Sequence, residues 1–154
     1  MWGVVAGPPT SWLSLHIGDK CPLDVPSTNP HLSEDLRLYE GSIGLFIECP
    51  WRLGSEEGLI CSWSDDFAGD VPIMTKLAAL VNARIEALEV AAGTLDLELR
   101  LTNGLRLTAF CDSVESEDDN YFLRNRDVLY IVGPRATLRR ELAGGGITPR
   151  LRLV

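Results

Sequence analysis

Leu95-Asp96-Leu97-Glu98-Leu99-Arg100-Leu101-Thr102-Asn103-Gly104-Leu105-Arg106-Leu107-Thr108-Ala109-Phe110-Cys111 decides the fold class of this chain. Side chains alternate between the two faces of a strand, so Leu95, Leu97, Leu99 and Leu101 share one face with Leu105, Leu107, Ala109 and Cys111. Asp96, Glu98, Arg100, Arg106 and Thr108 take the other. A two-residue Asn103-Gly104 turn would set leucines opposite arginines. A three-residue loop over residues 102–104 pairs Leu101 with Leu105 and Leu99 with Leu107. A slip of one residue sends every side chain to the wrong face, so the longer loop is expected. Gly104 then takes the left-handed position, where it has no Cβ penalty. A half-buried antiparallel sheet follows. It is a scaffold signal and carries no chemistry.

Around this hairpin, residues 36–48 read as a second one. A Glu40-Gly41 turn would pair Leu38 with Ile43 and Leu36 with Leu45. Cys49-Pro50-Trp51 is expected to end that strand, because proline cannot donate to a ladder. The two hairpins have similar patterns, either through duplication or because both obey the same amphipathic rule. Further strands are expected over residues 12–17, 58–63, 121–123 and 128–132, with residues 124–127 as a turn. Residues 65–70 form an acidic loop, and Asp70 and Pro72 can open a helix. Residues 83–91 fit either an extension of that helix or a strand, and a short helix followed by a strand is preferred. Gly7, Pro8, Pro9, Pro22, Pro26 and Pro30 make residues 1–35 loop-rich.

The chain has 154 residues, 45% of them hydrophobic, which suits one soluble domain with its own core. The longest aliphatic run, residues 77–81, falls far short of the ~20 residues of a membrane helix. The first residues carry no basic segment of the secretory kind. The expected location is the cytoplasm, with no membrane partner. Cys21, Cys49, Cys61 and Cys111 form no Cys-x-x-Cys pair, which disfavours zinc. They read as free thiols packed as small hydrophobes, and in a cytosolic chain no sequence signal supports a disulfide between them.

Net charge is −8, unevenly spread: residues 1–134 hold 9 basic and 21 acidic side chains, residues 135–154 hold 5 and 1. An acidic body disfavours nucleic acid, whose affinity rests on Lys and Arg contacts to phosphate. It attracts a basic protein and speeds the encounter. The basic stretch, with Arg135, Arg139 and Arg140 before Gly144-Gly145-Gly146, is expected to be a mobile tail. The glycines lack the Lys-Ser/Thr of a phosphate loop.

No catalytic set emerges. His16 and His31 have no sequence spacing to a cysteine and a third orienting group. The carboxylates of Asp65-Asp66 with Asp70, and of Glu117-Asp118-Asp119, lack the spacing of a calcium loop. No cofactor or metal is implied. Trp51, near a turn and beside acidic loops, is a candidate partner anchor, with core packing the preferred reading of the two.

Taken together, Ile47-Glu48-Cys49-Pro50-Trp51-Arg52-Leu53, then Ser62-Trp63-Ser64-Asp65, the leucine hairpin and residues 128–133 resemble an uncharacterised family of small bacterial proteins. Candidate toxin-immunity proteins stand among the related-looking sequences. The resemblance spans roughly residues 34–134. It implies an α+β domain and brings no catalytic residues. The expectation is therefore a single α+β domain over residues 1–134. In it a curved, mostly antiparallel sheet of about 7–9 strands, built from two hairpin units, packs against one main helix. Its expected role is a non-catalytic protein-binding domain, in the manner of an immunity inhibitor that occludes a basic partner. Trp51, Asp65, Asp66, Glu117, Asp118 and Asp119 are the candidate contact residues. Two alternatives stand beside it: a small-ligand binder or enzyme with a pocket at the mouth of the sheet, and a structural subunit of an oligomer.

Overall fold

The computed structural model describes residues 1–7, 12–65, 72–114 and 119–142. The leucine hairpin folds as its pattern requires. β7 (Leu97–Leu101) and β8 (Arg106–Ala109) are antiparallel, with Leu99 opposite Leu107 and Leu97 opposite Ala109. The Leu101 amide donates to the Leu105 carbonyl at 3.0 Å, closing the three-residue loop. Gly104 has φ +78°, a value an L-residue adopts only with strain.

The rest of the chain wraps this unit in strands. In chain order, β1 is Gly3–Gly7, β2 Trp12–Pro22, β3 Tyr39–Ile47, β4 Trp51–Ser55, β5 Gly58–Ser62 and β6 Ile85–Val90. After β8 come β9 (Tyr121–Asn125), β10 (Val128–Gly133) and β11 (Thr137–Leu142). Two helices of five residues intervene, α1 (Glu34–Leu38) and α2 (Ile73–Leu77), and a 3-10 turn, Ala78–Leu80, follows α2. All strand pairs are antiparallel. One sheet runs β1-β2-β3-β9-β10-β11, the other β5-β4-β8-β7-β6.

The inner faces of the two sheets meet in one apolar core. Leu13, Leu15, Leu45 and Ile47 come from the first, and Trp51, Leu53, Leu97, Leu99, Leu107 and Ala109 from the second. Ile73, Leu77 and Leu80 of the helical segment close the same core. Full burial of each such leucine contributes about 1.5–3 kcal/mol relative to exposure. The fold is therefore sheet-rich and antiparallel, as expected.

Its layering differs from expectation. Among the described residues, eleven strands in two sheets replace a single curved sheet of 7–9, and no helix is long enough to be a main one. The physical cause is Pro50. It interrupts the ladder after β3, and the chain changes layers there, so β3 and β4 belong to different sheets. Trp51 does not sit in a turn: it opens β4 on the inner face, two residues from Leu53.

The second expected hairpin does not form either. Leu36 and Leu38 lie in α1, where the Ser33 hydroxyl accepts from the Leu36 amide and Glu34 and Asp35 sit in the first turn. Both features favour a helix start. Gly41 is not a turn residue. A Cβ there would lie 2.5 Å from the Ile17 nitrogen and 2.6 Å from the Ile43 carbonyl oxygen. It lies where β2 bulges between Ile17 and Lys20 against β3. β1 and β11 were not anticipated. Residues 137–142 of the expected tail are the outer strand of the first sheet, paired to β10, and residues 143–154 lie outside the described residues. Among the described residues no helix is long and apolar enough to cross a membrane.

Candidate functional site

The candidate contact residues do not converge. Trp51 is 0% exposed and part of the core. The preferred core reading holds and the surface-anchor reading is corrected: strand alternation on β4 turns Trp51 inward with Leu53, leaving Arg52 outside. Asp66, Glu117 and Asp118 lie outside the described residues. Asp65 is half-buried and occupied. Its carboxylate accepts from the Ser62 amide (3.3 Å) and hydroxyl (3.2 Å) and pairs with Lys76 Nζ at 3.3 Å. It closes the turn that leaves β5. Asp119 is held by Arg139, whose Nη2 reaches its two oxygens at 2.9 and 2.8 Å. That bond ties the return to the first sheet onto β11.

Charge instead collects on the outer face of the second sheet. Glu89 stands opposite Glu98, and Arg100 opposite Arg106. Like charges directly opposite one another destabilise a sheet. Here they interlock: Arg100 pairs with Glu89 and, at 3.5 Å, with Glu98, while Arg106 approaches Glu98 at 3.7 Å. The Glu89 carboxylate is the first cause that holds the Arg100 guanidinium above its ordinary range.

This lattice adjoins an open edge. β6 is the last strand of its sheet. The Ala91 amide donates to the Asp96 carbonyl at 2.8 Å, and Glu89 pairs with Glu98. Ladder bonds alternate in antiparallel pairs, so they fall at residues 87, 89 and 91. The amides and carbonyls of Leu88 and Val90 then point away from the sheet. Their side chains share the inner face with Leu99 and Leu97, yet are 40% and 44% exposed, because no further strand covers them. At the hairpin end lies a hollow of about 280 Å³ lined by Glu89, Asp96 and Glu98 with Val90, Leu97 and Thr108. Asp96 is fixed there by accepting from the Cys111 amide at 2.7 Å.

The other end of the molecule carries a wider, open hollow of about 470 Å³, lined by Ser42, Ile43, Asn125, Arg126, Asp127 and Val128. Its Ser42 hydroxyl accepts from the Asp19 amide at 3.0 Å. Among the described residues, no three of His, Cys, Asp and Glu gather as metal ligands would. Trp63, just beyond β5, is 42% exposed and is the aromatic closest in character to the anchor sought at Trp51. Sequence reasoning missed the β6 edge because pairing across distant residues decides which strand ends a sheet. Its one local signal was Ile85-Glu86-Ala87-Leu88-Glu89-Val90, apolar and acidic residues interleaved.

Comparison with protein-family models, with curated proteins and with solved structures finds no match for this chain.

Proposed function

We propose that the protein is a non-catalytic binding domain that takes an extended, basic segment of a partner protein along the edge of β6. One observation carries this reading: β6 presents two outward amides, two exposed apolar side chains and, at its end, a hollow with three carboxylates. Strand addition supplies affinity through main-chain hydrogen bonds and specificity through side-chain pockets. A lysine or arginine of the added strand would enter the hollow between Glu89, Asp96 and Glu98. The net charge of −8 favours such a partner and speeds its approach. Occlusion of a basic surface on a toxin, the immunity-type role implied by the family resemblance, is the finer form of this reading.

A second copy of the chain is the other occupant with an observation behind it. β11 ends the first sheet and carries Arg139 and Arg140 between the exposed Leu138 and Leu142.

The test uses a labelled peptide of alternating lysine and valine, followed by fluorescence anisotropy at low and high salt. Val90→Pro removes an outward amide without removing a ladder bond. Glu86→Lys reverses an exposed edge charge. Wild-type protein should bind, Val90→Pro should weaken binding at least about tenfold, a loss of ~1.4 kcal/mol, and Glu86→Lys should flatten the salt dependence. Equal binding by wild type and Val90→Pro, or no binding at any salt, overturns the proposal. Concentration-dependent self-association abolished by Val90→Pro selects the second copy instead.

A further inference from the structure

The two passages of the chain between the sheets lie side by side, and a cysteine stands in each. β4 and β8 run in strict register: Leu53 faces Leu107, Arg52 faces Thr108, Trp51 faces Ala109. The Phe110 amide donates to the Pro50 carbonyl at 2.8 Å, which carries the ladder one step beyond the strands. Cys49 stands just before Pro50 and Cys111 just after Phe110, so that bond brings the two cysteines side by side where the ladder ends. Cys49 belongs to the apolar core and Cys111 packs against it. Facing Cα atoms of paired strands lie about 4.5–5.5 Å apart, and a disulfide accepts Cα separations of about 4.4–6.8 Å. The two sulfurs lie near enough for each thiol to be the largest influence on the other's acidity.

Each is held in place by its backbone. The Cys49 amide donates to the Asn120 carbonyl at 3.0 Å. The Cys111 amide donates to Asp96 Oδ1 at 2.7 Å, and its Sγ donates to the Leu95 carbonyl at 3.2 Å. Cys49 is buried and Cys111 half-exposed. Cys21, on β2, and Cys61, on β5, belong to other parts of the fold.

We propose that Cys49 and Cys111 are a reversible redox pair, closed to a disulfide by a hydroperoxide and reopened by a dithiol. The half-exposed Cys111 thiolate attacks one peroxide oxygen. The O–O bond breaks, the departing oxygen leaves as water after taking up a proton, and Cys111 becomes a sulfenic acid. Cys49 sulfur then attacks the Cys111 sulfur, the S–O bond breaks, and the hydroxyl leaves as a second water with the Cys49 proton. Two thiols have lost two electrons and two protons, and one hydrogen peroxide has become two waters. The division of labour follows exposure, and the thiols' acidities agree with it. The neighbouring Cys49 thiol holds the Cys111 thiol below its ordinary value, against burial and the carboxylates of Asp96 and Asp112. The Cys111 thiol, with burial, pushes the Cys49 thiol up. Cys111 therefore meets the oxidant and Cys49 resolves it. The closed bond staples the exit of the first sheet to the exit of the second.

The experiment treats the reduced full-length protein with stoichiometric hydrogen peroxide, then alkylates it under denaturing, non-reducing conditions and maps it by mass spectrometry. The expected product is one peptide pair joined through Cys49 and Cys111, two hydrogen masses lighter, with Cys21 and Cys61 still alkylated. The crosslink closes a loop of about 60 residues and should raise Tm by about 5–15 °C. Dithiothreitol should reverse both changes. Cys49→Ser should instead trap a Cys111 sulfenic acid that dimedone labels. Joining of any other pair, an intermolecular product, or Cys49 and Cys111 both still alkylated after treatment would each overturn the proposal. The wild-type map decides this even where a variant fails to fold.

Discussion

Leu99 and Glu98 are neighbours in the chain and opposites in environment. Leu99 is fully buried between the sheets, whereas Glu98 lies on the outer face in long contacts to two arginines. Leu99→Ala should cost about 2–5 kcal/mol. Glu98→Ala should stay within about ±0.5 kcal/mol, since exposed pairs contribute little. Urea unfolding of both variants checks this, and comparable losses would mean that the outer face is covered. His16 supplies a pH prediction. Its Nδ1 accepts from the Gly41 amide at 3.2 Å. Burial, the largest cause, with Arg124 opposing the positive form against Glu40, holds its pKa below 6.5. The folded state thus resists protonation, while the unfolded state gains the proton near 6.5. Stability from this site is complete above the unfolded value and falls as pH drops toward the folded one. The urea midpoint of wild type should decline more between pH 7.5 and 5.5 than that of His16→Gln. Parallel declines would clear His16.

At the scale of single elements, the bulged β2–β3 ladder is the least forgiving part of the molecule. Gly41→Ala would press a methyl group onto backbone atoms of both strands, which cannot swing away as a side chain would. The loss should lie at or above the upper end of the ~1–3 kcal/mol typical of overpacking. Gly44→Ala is its control. The nearest atoms lie at 3.7 and 3.8 Å, both in the Arg124 side chain, and the change should be tolerated. Thermal melts of the two variants side by side make the comparison. Gly41 also shows where the sequence was legible and where it was not. Elements set by local rules could be read: the leucine hairpin with its register and Gly104, the β9–β10 hairpin, and a short helix before β6. Gly41 looked like a turn because glycine fits a turn, but its requirement comes from Ile17, a strand away. Leu36 and Leu38 alternated as a strand would, and the Ser33 cap outweighed that pattern. β1 and β11 depend on partners that the local sequence does not name. The site was less legible still. Trp51 and the edge status of β6 are both settled by which sheet a strand joins.

Across the whole molecule, one core serves both sheets, and it contains the buried Trp51. Unfolding should therefore be a single transition. Tryptophan fluorescence and far-UV circular dichroism should report the same midpoint in guanidinium. Separated midpoints would mean that one sheet survives without the other. The route to that cooperative state need not be symmetric in time. The second sheet is built from one uninterrupted stretch, β4 to β8, and much of it closes through neighbouring hairpins. The first sheet is assembled from segments on either side of that stretch, and its central pair joins Ile47 to Tyr121. Short-range closures are fast, and a long loop must be gathered before a distant pairing returns any energy. The β7–β8 hairpin should thus be native-like in the folding transition state, and the β3–β9 seam should form last. Pulse-labelled hydrogen exchange would show amides of β7 and β8 protected before those of β9. The last residues to find their places would then be those on which the outer layer hangs, and mutations there would change how fast the chain comes apart more than how fast it comes together.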